Sequence, residues 1–348
     1  YNITRFFKYI FYIGSFMNIL LIGYCHLQDG FLYASQALER LSYNIHFFPF
    51  LSYKMDNNDN LIKDFHNLIK EKNINICLWW NNSIPFDEFT LLYISKITHI
   101  YFNWDPVLYN SNLASWSSLI NNKNKIYPYM NIIFTCFGKE IEVFHNYPIY
   151  YNPPGFDKHI SFFEFDQNYS CDVSIVLTNL YDDENLFPSN ITNITRTKVV
   201  NYLYSKRKLI KFHIYGPEKF KESYPECYQR FISYNECNKI FSNSKINLSI
   251  HPIVNELHSI DCEKEYFSER VPQILGCKGL LLTNSNLHHC LKPNKDYIYI
   301  DHENYQKKIM NVIENSNLYD KIRMNGYEKG LLYYQWNNWA TKIHNMID

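Results

Sequence analysis

Glu265, Glu269, Arg270 and Gln273 cluster at the start of the segment EYFSERVPQILGCKGLLLT, residues 265–283. Carboxylates and an amide oxygen accept hydrogen bonds from sugar hydroxyls, and a guanidinium binds phosphate in bidentate fashion. Apolar spacing predicts a helix over 269–275 and, after a Gly-bearing turn, a buried strand over 280–282. Backbone N–H groups at a helix start favour an anion. Together these groups suit a ligand that carries both a sugar and a phosphate. The plainer alternative for Glu265 and Glu269 is an acidic helix start stabilised by the helix dipole. Arg270 and Lys245 have two readings each, a phosphate contact or a neighbouring carboxylate. Gly216 follows an Ile-Tyr strand, where a missing side chain permits close approach of a ligand or simply a turn. Toward the other end of the chain, His26, Asp29 and Asp105 fall just after predicted strands, where a base or a hydroxyl-orienting group would stand.

These residues need a frame that brings strand ends together. Strand signals at 18–24, 44–50, 74–79, 99–102, 126–129 and 132–134 alternate with helix signals at 31–41, 61–71 and 86–97. The run YYNPPGFD, residues 150–157, interrupts them, since two prolines and a glycine cannot continue a helix or a central strand. Alternation then resumes, with strands at 173–177, 212–215, 246–250, 280–282 and 297–300. Helices are predicted at 195–204, 236–242, 269–275, 305–315, 318–333 and 336–347. The pattern predicts an α/β chain of two Rossmann-like doubly wound domains. Their boundaries are 1–157, with the linker at 150–157, then 158–333 and a terminal helix at 334–348. Two such sheets leave a cleft between their carboxyl edges, and closure of that cleft excludes water.

Composition narrows the functional classes. The 348 residues carry 34 basic and 34 acidic side chains, so no nucleic-acid or membrane-binding field is expected. Ten glycines argue against Gly-rich phosphate loops. The nine cysteines lack paired spacing and read as reduced thiols of a cytoplasmic protein, not as a disulfide frame or zinc site. Lys8 and Asn18 interrupt the apolar run 6–23, whose second half reads as the first strand and not as a membrane span. The acidic run Asp182, Asp183 and Glu184 reads as a solvated turn, not a metal site. The chain begins without Met, which predicts a fragment of a longer protein with additional domains.

Four segments carry a family resemblance in consistent order: YYNPPGFD at 150–157, FHIYGPEKF at 212–220, YNECNKIFSNSKINLSIH at 234–251 and residues 265–283. Together they resemble the C-terminal half of GT-B glycosyltransferases of group 1, in particular the spore-maturation CgeB-like branch. The resemblance implies transfer of a sugar from a UDP- or GDP-linked donor to a hydroxyl acceptor such as a glycan, without a metal or further cofactor. Donor binding then falls to Gly216, Lys245, Glu265, Glu269, Arg270 and Gln273, and acceptor chemistry to His26, Asp29 and Asp105. It also implies that the last helix crosses back onto the first domain. Where the family has a second glutamate eight positions after the first, this chain has Gln273. That departure keeps two alternatives open, a catalytically silent nucleotide-sugar- or glycan-binding module and a sugar-nucleotide epimerase.

Overall fold

A computed structural model describes residues 17–23, 30–50, 60–80, 86–103, 123–178, 180, 195–251, 267–287 and 290–347. Its first half holds strands β1 (Asn18–Ile22), β2 (Asn44–Phe48), β3 (Ile76–Trp80), β4 (Thr98–Asn103), β5 (Ile132–Thr135) and β6 (Ile149–Tyr151). They form one sheet in the order β2-β1-β3-β4-β5-β6, every pair parallel. The inner strands are apolar on both faces, so both faces must be covered. Ile19, Leu21, Leu78, Trp80, Ile100 and Phe102 pack against Phe31, Ala34 and Leu38 of helix α1 (Gly30–Glu39). The alternate residues Leu20, Ile22, Cys77, Trp79 and Tyr101 meet Phe65 of α2 (Leu61–Glu71) and Phe89 of α3 (Phe86–Leu92).

The stretch 126–129, expected as a strand, is instead a 3-10 turn over Tyr127–Tyr129. Pro128 lies at its first turn, where a missing N–H and a fixed φ suit a helical start and not a ladder. The expected linker also begins too early. Tyr150 and Tyr151 belong to β6, where they pair with Phe134 and Thr135, and the chain leaves the sheet only after Tyr151. A short helix, α4 (Gly138–Val143), follows β5 and has no counterpart in the expected pattern.

The second sheet contains β7 (Cys171–Val176), β8 (Phe212–Tyr215), β9 (Ser244–Ser249), β10 (Leu281–Thr283) and β11 (Ile298–Tyr299), in the order β11-β10-β9-β7-β8. All of its pairs are parallel as well. One face packs on Val199, Val200 and Leu203 of α5 (Arg196–Ser205). The helices α6 (Lys219–Ser223), α7 (Cys237–Asn243) and α8 (Arg270–Gly276) come next in the chain. Ile240 and Phe241 of α7 and Val271, Ile274 and Leu275 of α8 form the core of the other face. That core also takes in Cys136, Phe137 and Tyr151 from the first half, so the two halves share buried apolar surface. Asn247, within an Asn-Leu-Ser sequon, is fully buried between Ser174 and the Phe241 carbonyl, which removes it as a glycan acceptor.

After α9 (Tyr305–Glu314) and α10 (Asp320–Tyr333), the final helix α11 (Trp336–Ile347) returns to the first sheet. Trp336, Trp339 and Ile343 complete the core that α1 covers. The two chain crossings between the halves touch each other: Phe156 N–H donates to Tyr334 O at 2.9 Å, and Trp336 N–H donates to Phe156 O at 3.1 Å. Gly155 permits this approach, because a Cβ there would stand 2.5 Å from Trp336 N. Among the described residues no helix is long and apolar enough to cross a membrane.

Candidate functional site

β7 lies between β8 and β9, so successive connections leave its neighbourhood in opposite directions and a crevice opens at the carboxyl ends of β7 and β9. Around that edge several polar side chains are buried and hydrogen-bonded. His251, just past β9, donates its backbone N–H to Asn284 Oδ1 at 2.8 Å, and Asn284 Nδ2 returns a bond to His251 O at 2.8 Å. Ser249 Oγ lies 3.0 Å from His251 Nε2 and 3.5 Å from Ser268 Oγ. The Arg196 guanidinium, at the first turn of α5, donates from Nε to Ile250 O at 2.7 Å. Beside them Ser285 Oγ is buried with no hydrogen-bond partner among the described residues. His251, Ser249, Ser268, Asn284 and Arg196 are not singled out by the sequence alone. The available signal was the polar run TNSN, residues 283–286, directly after a buried strand.

Glu269, Arg270 and Gln273 meet this edge from α8. Ser268 precedes Glu269, so the donor candidates continue directly from the hydroxyl cluster. Glu269 is half-buried. Burial, and after it the nearby Glu269 charge, hold the Tyr234 phenol protonated well above its usual range. Arg270 is half-buried and makes no ion pair with another described residue. Gln273 lies one turn further into the helix and is only 4% exposed. The helix itself is short, and Val271 N–H already donates to Ser268 O at 3.1 Å. The side chains, more than free N–H groups, therefore define the chemistry here.

Gly216 does follow β8 at the carboxyl edge. Its missing side chain is required by packing, since a Cβ would stand 2.2 Å from Leu177 O and 2.7 Å from the Phe220 ring. Lys245 is placed elsewhere. It is the second residue of β9, at the amino edge of the sheet, and its ammonium pairs with Asp172 at 2.8 Å. Strand length explains the displacement: the strand starts at Ser244 and its cleft end is reached only at Ser249. Lys245 is thus set apart from the crevice. His26, Asp29, Asp105 and Glu265 lie outside the described residues, as do Asp182, Asp183 and Glu184. Among the described residues, no group of three or more His, Cys, Asp or Glu side chains is arranged to hold a metal ion.

Across the crevice, the carboxyl edge of the first sheet is held by Glu140 of α4, which is 2% exposed. Its carboxylate takes hydrogen bonds from Lys123, Thr135, Tyr127 (2.5 Å) and Asn103 (2.5 Å). Burial opposes the charge, but the Lys123 ammonium and the Thr135 and Tyr127 hydroxyls outweigh it and hold the Glu140 carboxyl below its usual range. The halves make direct contact next to this group: Phe267 N–H donates to Cys136 O at 3.1 Å. Further along, the Tyr33 ring of α1 stacks on Tyr234 at 5.2 Å, and its hydroxyl donates to Asn235 Oδ1.

No curated protein matches the chain in sequence. A family model described as glycosyl transferase-like matches residues 196–345. Among solved structures, a sucrose-phosphate synthase from Thermosynechococcus elongatus superposes with a TM-score of 0.67 at 9% identity, over 95% of this chain and 98% of that one. The Anabaena protein HepE, solved with UDP and glucose, gives 0.65 at 9% identity over 95% and 99% of the two chains. An α-glucosyltransferase solved with UDP and a 13-mer DNA gives 0.61 at 12% identity over 96% and 100%. With two parallel sheets whose carboxyl edges face one another and a terminal helix that crosses back, this chain has the GT-B glycosyltransferase fold.

Proposed function

We propose that the protein transfers a sugar, of hexosyl type, from a UDP- or GDP-linked donor to a hydroxyl acceptor without a metal. The observation that carries this reading is the coincidence of the matched glycosyl transferase-like segment, 196–345, with the half whose carboxyl edge presents Glu269, Arg270 and the Ser249–His251–Ser268 cluster. The glucose and UDP of the HepE complex are consistent with such a donor. In this reading Arg270 pairs with the diphosphate and offsets its charge as the bond to the anomeric carbon breaks. Glu269 and Gln273, with Glu265, accept hydrogen bonds from donor hydroxyls. The acceptor oxygen attacks the anomeric carbon while His26, Asp29 or Asp105 takes its proton. The CgeB-like branch remains part of the proposal on the strength of the four motifs alone.

One observation favours a second reading, a silent nucleotide-sugar-binding module: Gln273 replaces a carboxylate, and its side chain is buried. Incubation of the protein with UDP- and GDP-sugars, with released nucleotide as the readout, separates the two. Transfer predicts nucleotide release, and Arg270→Ala lowers kcat/KM by about 10²-fold. Binding without release from any donor removes the transferase and leaves the binding module. Conversion of the sugar with the nucleotide still attached would identify an epimerase instead.

A further inference from the structure

Glu140 gathers hydrogen bonds from separate parts of the first half. Asn103 ends β4, Lys123 lies in the helical stretch 123–126, Tyr127 opens the 3-10 turn that follows it, and Thr135 ends β5. All five residues are at most 4% exposed. The Lys123 ammonium and the Asn103 amide nitrogen can only donate, and both hydroxyls turn their hydrogens to the same carboxylate. Only the ionised carboxylate serves all four. A protonated carboxyl would set its own O–H against a donor, and a neutral side chain would leave a buried ammonium unpaired.

The group extends in two directions. Asn103 and Lys123 are the described residues on either side of 104–122, so one carboxylate ties both flanks of that stretch. Thr135 leads directly to Cys136, whose N–H donates to Asn103 O at 3.4 Å and whose carbonyl accepts the Phe267 N–H at 3.1 Å. Phe267 is fully buried, stacks on Tyr334 at 4.8 Å, and precedes Ser268, Glu269 and Arg270 without a break. A continuous path of bonds therefore runs from Glu140 through Thr135 and Cys136 to the donor-side residues.

We propose that Glu140 is a positioning residue: its carboxylate fixes the ends of β4 and β5 and, through Cys136 and Phe267, sets the acceptor side of the cleft against the donor side. The catalytic consequence rests on the transferase reading above; the coupling across the cleft does not. Misplacement of reacting groups by about 1 Å costs on the order of 10²-fold in rate.

The test uses the full chain with Glu140→Gln, Thr135→Val and Thr135→Ser, read by hydrogen–deuterium exchange and by nucleotide release. In E140Q the Phe267 amide exchanges at least about tenfold faster while the amides of β7 are unchanged. At a temperature where the variant is folded, kcat falls about 10²-fold and KM for the donor stays within about twofold. T135S, which keeps the hydroxyl, behaves as wild type. If E140Q fails to unfold cooperatively, T135V carries the same comparison, because it removes a single donor. Wild-type exchange at Phe267 in the folded variants overturns the proposal, whatever happens to kcat. Faster exchange with wild-type kcat also overturns it, because the coupling then positions nothing. Faster exchange in E140Q, with no turnover by any protein including wild type, removes the transferase reading and leaves the coupling standing.

Discussion

His213 on β8 is 7% exposed, and its Nδ1 lies 3.3 Å from the Tyr215 hydroxyl. Burial, and after it the Lys211 charge, push the imidazole from 6.5 down to about 4. The folded state therefore holds this ring neutral over a range where the unfolded chain takes up a proton. Its contribution to stability is fully present above about pH 6.5 and is lost as pH falls toward 4, on the order of 3 kcal/mol in all. His213→Gln is expected to flatten the decline of unfolding free energy between pH 7 and 4.5, measured by urea titration. An unchanged slope would show that the ring does not titrate in that range. At this scale the sequence was readable where chemistry lies within one local segment. Glu269, Arg270 and Gln273, read together as donor-binding candidates, fall on one helical turn. The partners of Glu140 come from positions 103, 123, 127 and 135, and they converge only because β4 and β5 are neighbours in the sheet. No spacing rule in the chain announces such a group.

Among the elements, the parallel strands were legible because each is a short apolar run followed by a helical period. The failures share a cause. Residues 126–129 and 149–151 are aromatic-rich stretches of three or four residues, and an apolar run that short fits a strand or a helical turn equally well. Pro128 decides the first, and pairing with β5 decides the second. Lys245 was misplaced for a related reason, since a residue's distance from the cleft depends on where its strand begins. Gly216 offers a test of the β8 turn. Its Cβ position is filled by the backbone oxygen of Leu177, which cannot rotate away as a side-chain tip would. Gly216→Ala is therefore expected to lower stability by about 1–3 kcal/mol, seen as a lower denaturation midpoint. A midpoint equal to wild type would mean that the β7 and β8 ends adjust freely.

For the whole molecule, core membership does not follow chain order. Trp336 is fully buried among residues of the first sheet and lies 6.2 Å from Trp80, although it comes from the far end of the chain. Trp336→Ala should cost about 3–5 kcal/mol. The loss of exchange protection should fall on β1, β3 and β4 more than on β7 and β8; equal loss in both sheets would contradict this assignment. The sequence pattern supplied the helix, and the family resemblance supplied its return across the molecule, which no local period encodes. The bridge between Phe156 and Gln335 has a mechanical side as well. Because both covalent connections pass through one point, any rotation of the halves about them would turn on a single pin and not a two-stranded strap. A protease that nicks the peptide near Asp157 would leave the pin intact: α11 would still be seated in the first core, and the two fragments would stay together until denatured.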